Sequence, residues 1–207
     1  MIFYSKQTET KLKETLVSTR SMTSLIEKEM SLATGGIKRE TVNWVPMWVD
    51  WNNSVRSETS SATAMRAITD KGELLWYVRH DVKKHGYHST ELFPFDAIRE
   101  ANAAWDQRQM VKRKWSEVVT AQKELLRGSS KYRVTMQDAE DSALCTLGIA
   151  WFRMRWGIGR KASISGRMAA ILMAIEPQVG FVIYQAQKRQ AGQSSAQGLA
   201  TSTAVAT

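Results

Sequence analysis

Apolar residues return at helical intervals near both ends of this chain and at strand intervals in the middle. Over residues 6–33, Leu12, Leu16, Met22, Ile26 and Met30 recur close to one face and Gly35-Gly36 supplies a stop, which predicts an amphipathic helix. Residues 41–51, TVNWVPMWVDW, place Trp44, Trp48 and Trp51 at helical spacing with Pro46 among them. Proline breaks a helix interior, so an edge strand or extended segment is expected. Its indoles serve a core, with a base-stacking platform as the alternative. The polar stretch 52–60, NNSVRSETS, reads as a loop.

The strongest local pattern follows. Residues 63–69 and 73–82 are two apolar runs flanking Asp70-Lys71-Gly72, a three-residue connection that suits a β-hairpin with glycine in the left-handed position. On the second strand, Leu75, Tyr77 and Arg79 fall on one face and Leu74, Trp76, Val78 and His80 on the other. Large groups on both faces predict a sheet covered on both sides, or one face on a core and one on a partner. A second turn at Lys83-Lys84-His85-Gly86 leads into a short third strand within 87–93.

Asp96 is placed as the N-cap of a long helix to Arg127, with Gly128 as its stop. A second helix is expected from about Thr135 to Trp156, with Asp138, Glu140 and Asp141 in its first turn, where they complement the helix dipole. A basic loop interrupted by Gly157 and Gly159 reaches Ser165, the N-cap of a third helix that ends before Pro177. Residues 180–187 fit either a strand or a helix. From Gln190 onward the residues are small and polar, which predicts a disordered tail.

Composition narrows the function classes. The 207 residues include 29 Lys and Arg against 20 Asp and Glu, a net charge of +9. That excess favours an anionic partner, nucleic acid or a membrane surface. A single cysteine, Cys145, excludes a disulfide framework and a cysteine-based zinc site. It lies in an apolar run and reads as a small core residue. The first residues lack the apolar core of a signal peptide, and no uncharged apolar run reaches about 18 residues. A cytoplasmic protein without integral membrane association is expected, in the host cytoplasm if phage-encoded.

The candidate chemistry is sparse. His80, His85 and His88 fall within nine residues, beside Asp81 and Glu91. Imidazole and carboxylate can ligate zinc, manganese or iron, which raises a metal-dependent hydrolase as one reading. Their spacing fits no ligand signature, and a histidine on a basic turn serves equally as a donor to phosphate. Gly-x-Ser-x-Gly is absent, and Gly157-Ile158-Gly159-Arg160-Lys161 lacks the full phosphate-loop spacing. Trp151 to Lys161 interleaves three aromatics with Arg153, Arg155, Arg160 and Lys161.

In the order strand, strand, short strand, helix, the steps Phe95-Asp96, Glu100-Ala101 and Ala104-Trp105 resemble the DNA-binding domain of ethylene-response-factor plant proteins and its relatives in phage homing endonucleases. The resemblance covers about fifty residues, 61–110. It implies a three-stranded sheet entering the major groove, with Arg66, Arg79, Lys83 and Lys84 as the available contacts.

The expected protein is α+β. A small antiparallel three-stranded sheet packs on a long helix (37–128), flanked by an N-terminal amphipathic helix (1–36), a C-terminal helical region (129–189) and a tail (190–207). Its expected function is non-enzymatic nucleic-acid binding, to double-stranded DNA, as an accessory or regulatory factor of a phage or other mobile element, with no cofactor. Lys83, Lys84, His85, Arg113, Lys114, Arg153, Arg155, Arg160 and Lys161 would meet phosphate, while Arg66 and Arg79 would meet base edges, since arginine pairs with guanine in bidentate fashion. Two other readings are an interaction or virion protein acting through helical packing, and the histidine-based hydrolase. The N-terminal helix offers a surface for self-association or a protein partner.

Overall fold

The computed structural model describes residues 37–42 and 45–203, with side chains over 38–42 and 45–193. The helix expected over 6–33, Trp44 and the last four residues of the expected tail lie outside the described residues. Contacts divide the described residues into two units: those up to 103 with 145–152, and 104–144 with those from 153 onward.

The first unit holds an antiparallel sheet of β1 (Ile37–Val42), β2 (Val45–Arg56), β3 (Ala62–Thr69), β4 (Leu74–His80) and β5 (Tyr87–Ser89), ordered β1-β2-β3-β4-β5. Five strands thus replace the expected three. The expected hairpin forms β3 and β4, and Gly72 takes φ +79° in its turn, donating to the Thr69 carbonyl at 2.9 Å. Pro46 pairs with Thr41 on the β1 side, and pairing with β3 begins only at Met47. The proline therefore takes no donor from the β2–β3 ladder. The loop signal at Asn52-Asn53-Ser54 marks a bulge inside β2, between Asp50 and Ser54. There the buried Asp50 carboxylate accepts from the backbone N–H of Asn52 (3.2 Å) and Asn53 (3.1 Å). The side chain thus supplies acceptors where the ladder register shifts.

Both sheet faces are covered. Residues opposite one another on neighbouring strands share a face, so Tyr87 and Ser89 lie beside Val78 and Trp76. Both hydroxyls donate to the Glu100 carboxylate, Tyr87 at 2.8 Å. Glu100 belongs to helix α1 (Pro94–Arg113). On the other face, Val45, Met47, Val49, Met65, Ala67, Leu75 and Tyr77 form a buried cluster against Leu147 and Trp151 of a later helix, α4 (Thr146–Arg155).

The long helix expected over 96–127 is two helices, α1 and α2 (Trp115–Arg127), broken at Lys114. Proline at the first position of α1 has no N–H for the helix to leave unsatisfied. The first intrahelical bond runs from the Ala97 N–H to the Phe93 carbonyl at 3.1 Å. Asp96 sits in the first turn and pairs with Arg99 at 2.8 Å, rather than acting as the cap.

In the second unit, a ribbon of β6 (Arg133–Thr135) and β7 (Ser163–Ser165) joins α2, α3 (Met136–Glu140), α5 (Gly166–Ile175) and α6 (Val179–Thr203). Thr135 caps α3 in a reciprocal box with Asp138. The single helix expected over 135–156 is interrupted where Ala143 adopts φ +62°. Gly128 ends α2, and the Ser165 hydroxyl caps α5 by accepting from the Met168 N–H, as the sequence predicts. Residues 180–187 are helical, and α6 continues to Thr203 across most of the stretch whose composition predicts a tail. Its inward side, including Phe181, Ile183 and Ala186, is buried together with Val118, Ala121 and Leu125 of α2 and Ala169, Ala170 and Leu172 of α5.

Candidate nucleic-acid interface

The basic excess is not shared between the two units. Over the described residues the first has 9 Lys and Arg against 9 Asp and Glu, while the second has 15 against 7, a net charge of +8. Within the second unit, residues 153–175 contain no carboxylate and carry Arg153, Arg155, Arg160, Lys161 and Arg167.

The ribbon strand β7 lies within this segment: Arg160 and Lys161 precede it and Arg167 follows it. Helix α4 ends at Arg155; Gly157 (φ +63°) and Gly159 (φ +60°) then turn the chain. These left-handed positions disfavour any residue with a Cβ. The Ile158 N–H reaches back to the Arg153 carbonyl at 2.9 Å. Arg153 closes the loop with its own side chain, donating from Nη2 to the Lys161 carbonyl (2.9 Å) and from Nη1 to Met136 Sδ (2.8 Å). Its guanidinium positions the loop. Arg155, Arg160, Lys161 and Arg167 are exposed. Arg133, directly opposite Ser165 across the ribbon, donates to Ser163 Oγ at 2.8 Å and to the Ser163 carbonyl at 3.2 Å. Its charge therefore stands beside β7. Arg113 and Lys114 are also exposed, next to Lys112 at the α1–α2 break.

The cations of the first unit are placed differently. Arg66, expected at base edges, is buried: it faces Asp50 and Trp76 across the sheet and lies 4.9 Å from the Trp76 ring centroid. It is a core cation, because the alternation that puts large residues on both faces also puts position 66 under a covered one. Arg79 is exposed at the rim of a hollow of about 270 Å³ lined also by Trp51, Ser54, Thr63, Met65 and Asp81. Its guanidinium sits 6.0 Å from the Trp51 centroid. Lys83, Lys84 and His85 occupy the β4–β5 turn, with Lys84 and His85 exposed.

The three histidines part company. His80 Nδ1 accepts from the Val82 N–H at 3.2 Å. His88 is buried, with Nδ1 3.2 Å from Cys145 Sγ. His85 stays on the turn. Among the described residues no group of three or more His, Cys, Asp or Glu is placed to hold a metal ion. The His88–Cys145 contact brings together a thiol and a base 57 residues apart. Both are buried, whereas nucleophilic catalysis requires an accessible sulfur. Nearby, Tyr77 has its pKa raised by burial and further by the Glu40 charge, against an opposing effect of Arg79.

Among the residues that carry the family resemblance, Phe95 is exposed while Ala101, Ala104 and Trp105 are buried. No protein-family model matches this chain, and neither the curated proteins nor the solved structures contain a match to it.

Sequence patterning alone does not point to Arg133 or Arg167. The signal that finds them is the missing carboxylates over 153–175, together with a ribbon pairing that local patterning does not contain.

Proposed function

We propose that this protein binds nucleic acid, with double-stranded DNA as its preferred form, in an accessory rather than catalytic capacity. The β6–β7 ribbon and its flanks supply the contact. Arg133, Arg155, Arg160, Lys161 and Arg167 meet phosphate oxygens, and the cluster Lys112-Arg113-Lys114 adds charge within the same unit. The observation that carries the reading is the segregation of charge. One unit is close to neutral while the other holds nearly all the excess, with a carboxylate-free segment at its ribbon. Charge that served solubility alone would have no reason to be so divided. Phosphate contacts of this kind fix position and affinity without reading sequence. Sequence preference is accordingly expected to be weak.

The test is fluorescence anisotropy with a mixed-sequence duplex at about 50 mM salt, where counterion release favours binding. The full chain should bind. The Arg160→Ala/Lys161→Ala variant should bind about tenfold more weakly, or worse, through the loss of two phosphate contacts. No binding by the wild type, or equal binding by the variant, would falsify the proposal.

A further inference from the structure

Helix α5 is apolar on both sides. Its inward face buries Ala169, Ala170, Leu172 and Met173. At 100° per residue its outward face consists of Arg167, Met168, Ile171, Ala174 and Ile175. Met168, Ile171 and Ile175 are 48%, 43% and 52% exposed. A helix apolar all round ordinarily has both sides covered. This one has a stripe about 10 Å long, from residue 168 to 175 at 1.5 Å per residue, standing in water.

We propose that this stripe docks on an anionic lipid surface, peripherally, with α5 lying in the plane of the interface. Charge complementarity selects the occupant. Arg160 and Lys161 precede the ribbon strand that leads into α5, and Arg167 sits on its first turn. All three are exposed, and no carboxylate lies between residues 153 and 175. An apolar helical face edged by cations at its N-terminal end, with no carboxylate between residues 153 and 175 and Glu176 at the far cap, fits an interface that is hydrocarbon below and phosphate above. A second copy would set these cations against their own equivalents across a two-fold axis, which like charge opposes. A duplex offers phosphates for the cations but no comparable apolar surface for the stripe. Among the described residues no helix is long and apolar enough to cross a membrane, so the attachment is to one leaflet.

The inference goes beyond nucleic-acid binding and fails separately from it. The experiment is co-sedimentation of the full chain with phosphatidylcholine vesicles and with vesicles containing phosphatidylglycerol. Wild type should bind the anionic vesicles and leave the neutral ones. Met168→Gln/Ile171→Gln/Ile175→Gln should lose at least about tenfold of that partitioning, from the transfer value of three half-exposed side chains, while its affinity for duplex DNA stays unchanged. The single variant Ile171→Gln, which disturbs packing less, should show a partial loss with native circular dichroism. Three results would overturn the proposal. These are no wild-type binding to anionic vesicles, equal binding by the apolar variants, or a wild-type dimer that the triple variant abolishes without any vesicle affinity, which would make a second copy the occupant.

Discussion

Asp138 is a buried carboxylate, 2% exposed, and it keeps its charge because donors surround it. Arg189 grips it in bidentate fashion, Nε to Oδ1 at 2.8 Å and Nη2 to Oδ2 at 2.9 Å. Thr135 adds its N–H at 2.7 Å and its hydroxyl at 2.8 Å. Burial alone would raise the pKa; the bonds from Arg189 and Thr135 outweigh it, and the net shift is downward. Arg189 shifts upward in turn, chiefly through its bond to Asp138. Asp138→Asn should therefore destabilise the protein by about 3 kcal/mol, as expected when one partner of a buried pair is removed. Urea unfolding against wild type measures it. Because the folded pKa lies below the unfolded one, the stabilisation is complete above an ordinary aspartate pKa of about 4 and is lost as pH falls through the lowered value. The gap between wild type and variant should accordingly be constant at neutral pH and close under acid. A gap unchanged down to strong acid would show that the charge of Asp138 contributes nothing. At this scale the sequence reveals half of the arrangement. Thr135 and Asp138 are legible as a helix start, three residues apart, whereas Arg189 lies 51 residues away and nothing local announces it.

Helix α6 shows how much an element depends on what it passes. A Cβ at Gly180 would lie 2.5 Å from Trp115 and 3.1 Å from both Met173 and Val118, while one at Gly192 would meet nothing within 4 Å. Gly180→Ala should cost about 1–3 kcal/mol through overpacking. Gly192→Ala in the same helix should be neutral or stabilising by up to about 1 kcal/mol, from propensity alone. Thermal melts of the two variants separate these effects, and equal melting temperatures would mean that α6 does not pack as described. The breaks between elements were the least legible features. Lys114 divides α1 from α2 with no proline or glycine to mark it. The bulge in β2 resembles a loop because asparagine and serine serve both.

At the scale of the whole molecule, the separation of charge makes a quantitative prediction. If the ribbon cations neutralise phosphates, the salt dependence of binding should fall in proportion to the contacts removed. The Arg160→Ala/Lys161→Ala variant should reduce the slope of log affinity against log salt by about 2 in magnitude, close to one per contact. Replacing Arg79, in the near-neutral first unit, should leave the slope unchanged. A salt titration of duplex binding with the three proteins decides it. Equal slopes for wild type and the double variant would move the contact elsewhere on the chain.

The sequence by itself determined the features whose partners are a few residues away. It marked the turn at Gly72, the helix start near Thr135, the cap at Ser165, and the stops at Gly128 and Gly157, because each is settled by hydrogen bonds and backbone angles within about one turn. It also determined the α+β class, through the change of hydrophobic period along the chain. Only the tertiary structure decided that Arg66 is a core cation beneath a covered sheet face and that His88 meets Cys145 rather than the other histidines. It likewise decided that residues 133 and 163–165 form one ribbon, drawing the basic loop to Arg133. Each of these depends on pairing between segments far apart in the chain, which composition and periodicity do not encode. The net charge of +9 could be read at once. Its concentration in a single unit, on which the proposed nucleic-acid binding rests, appears only when the chain is folded.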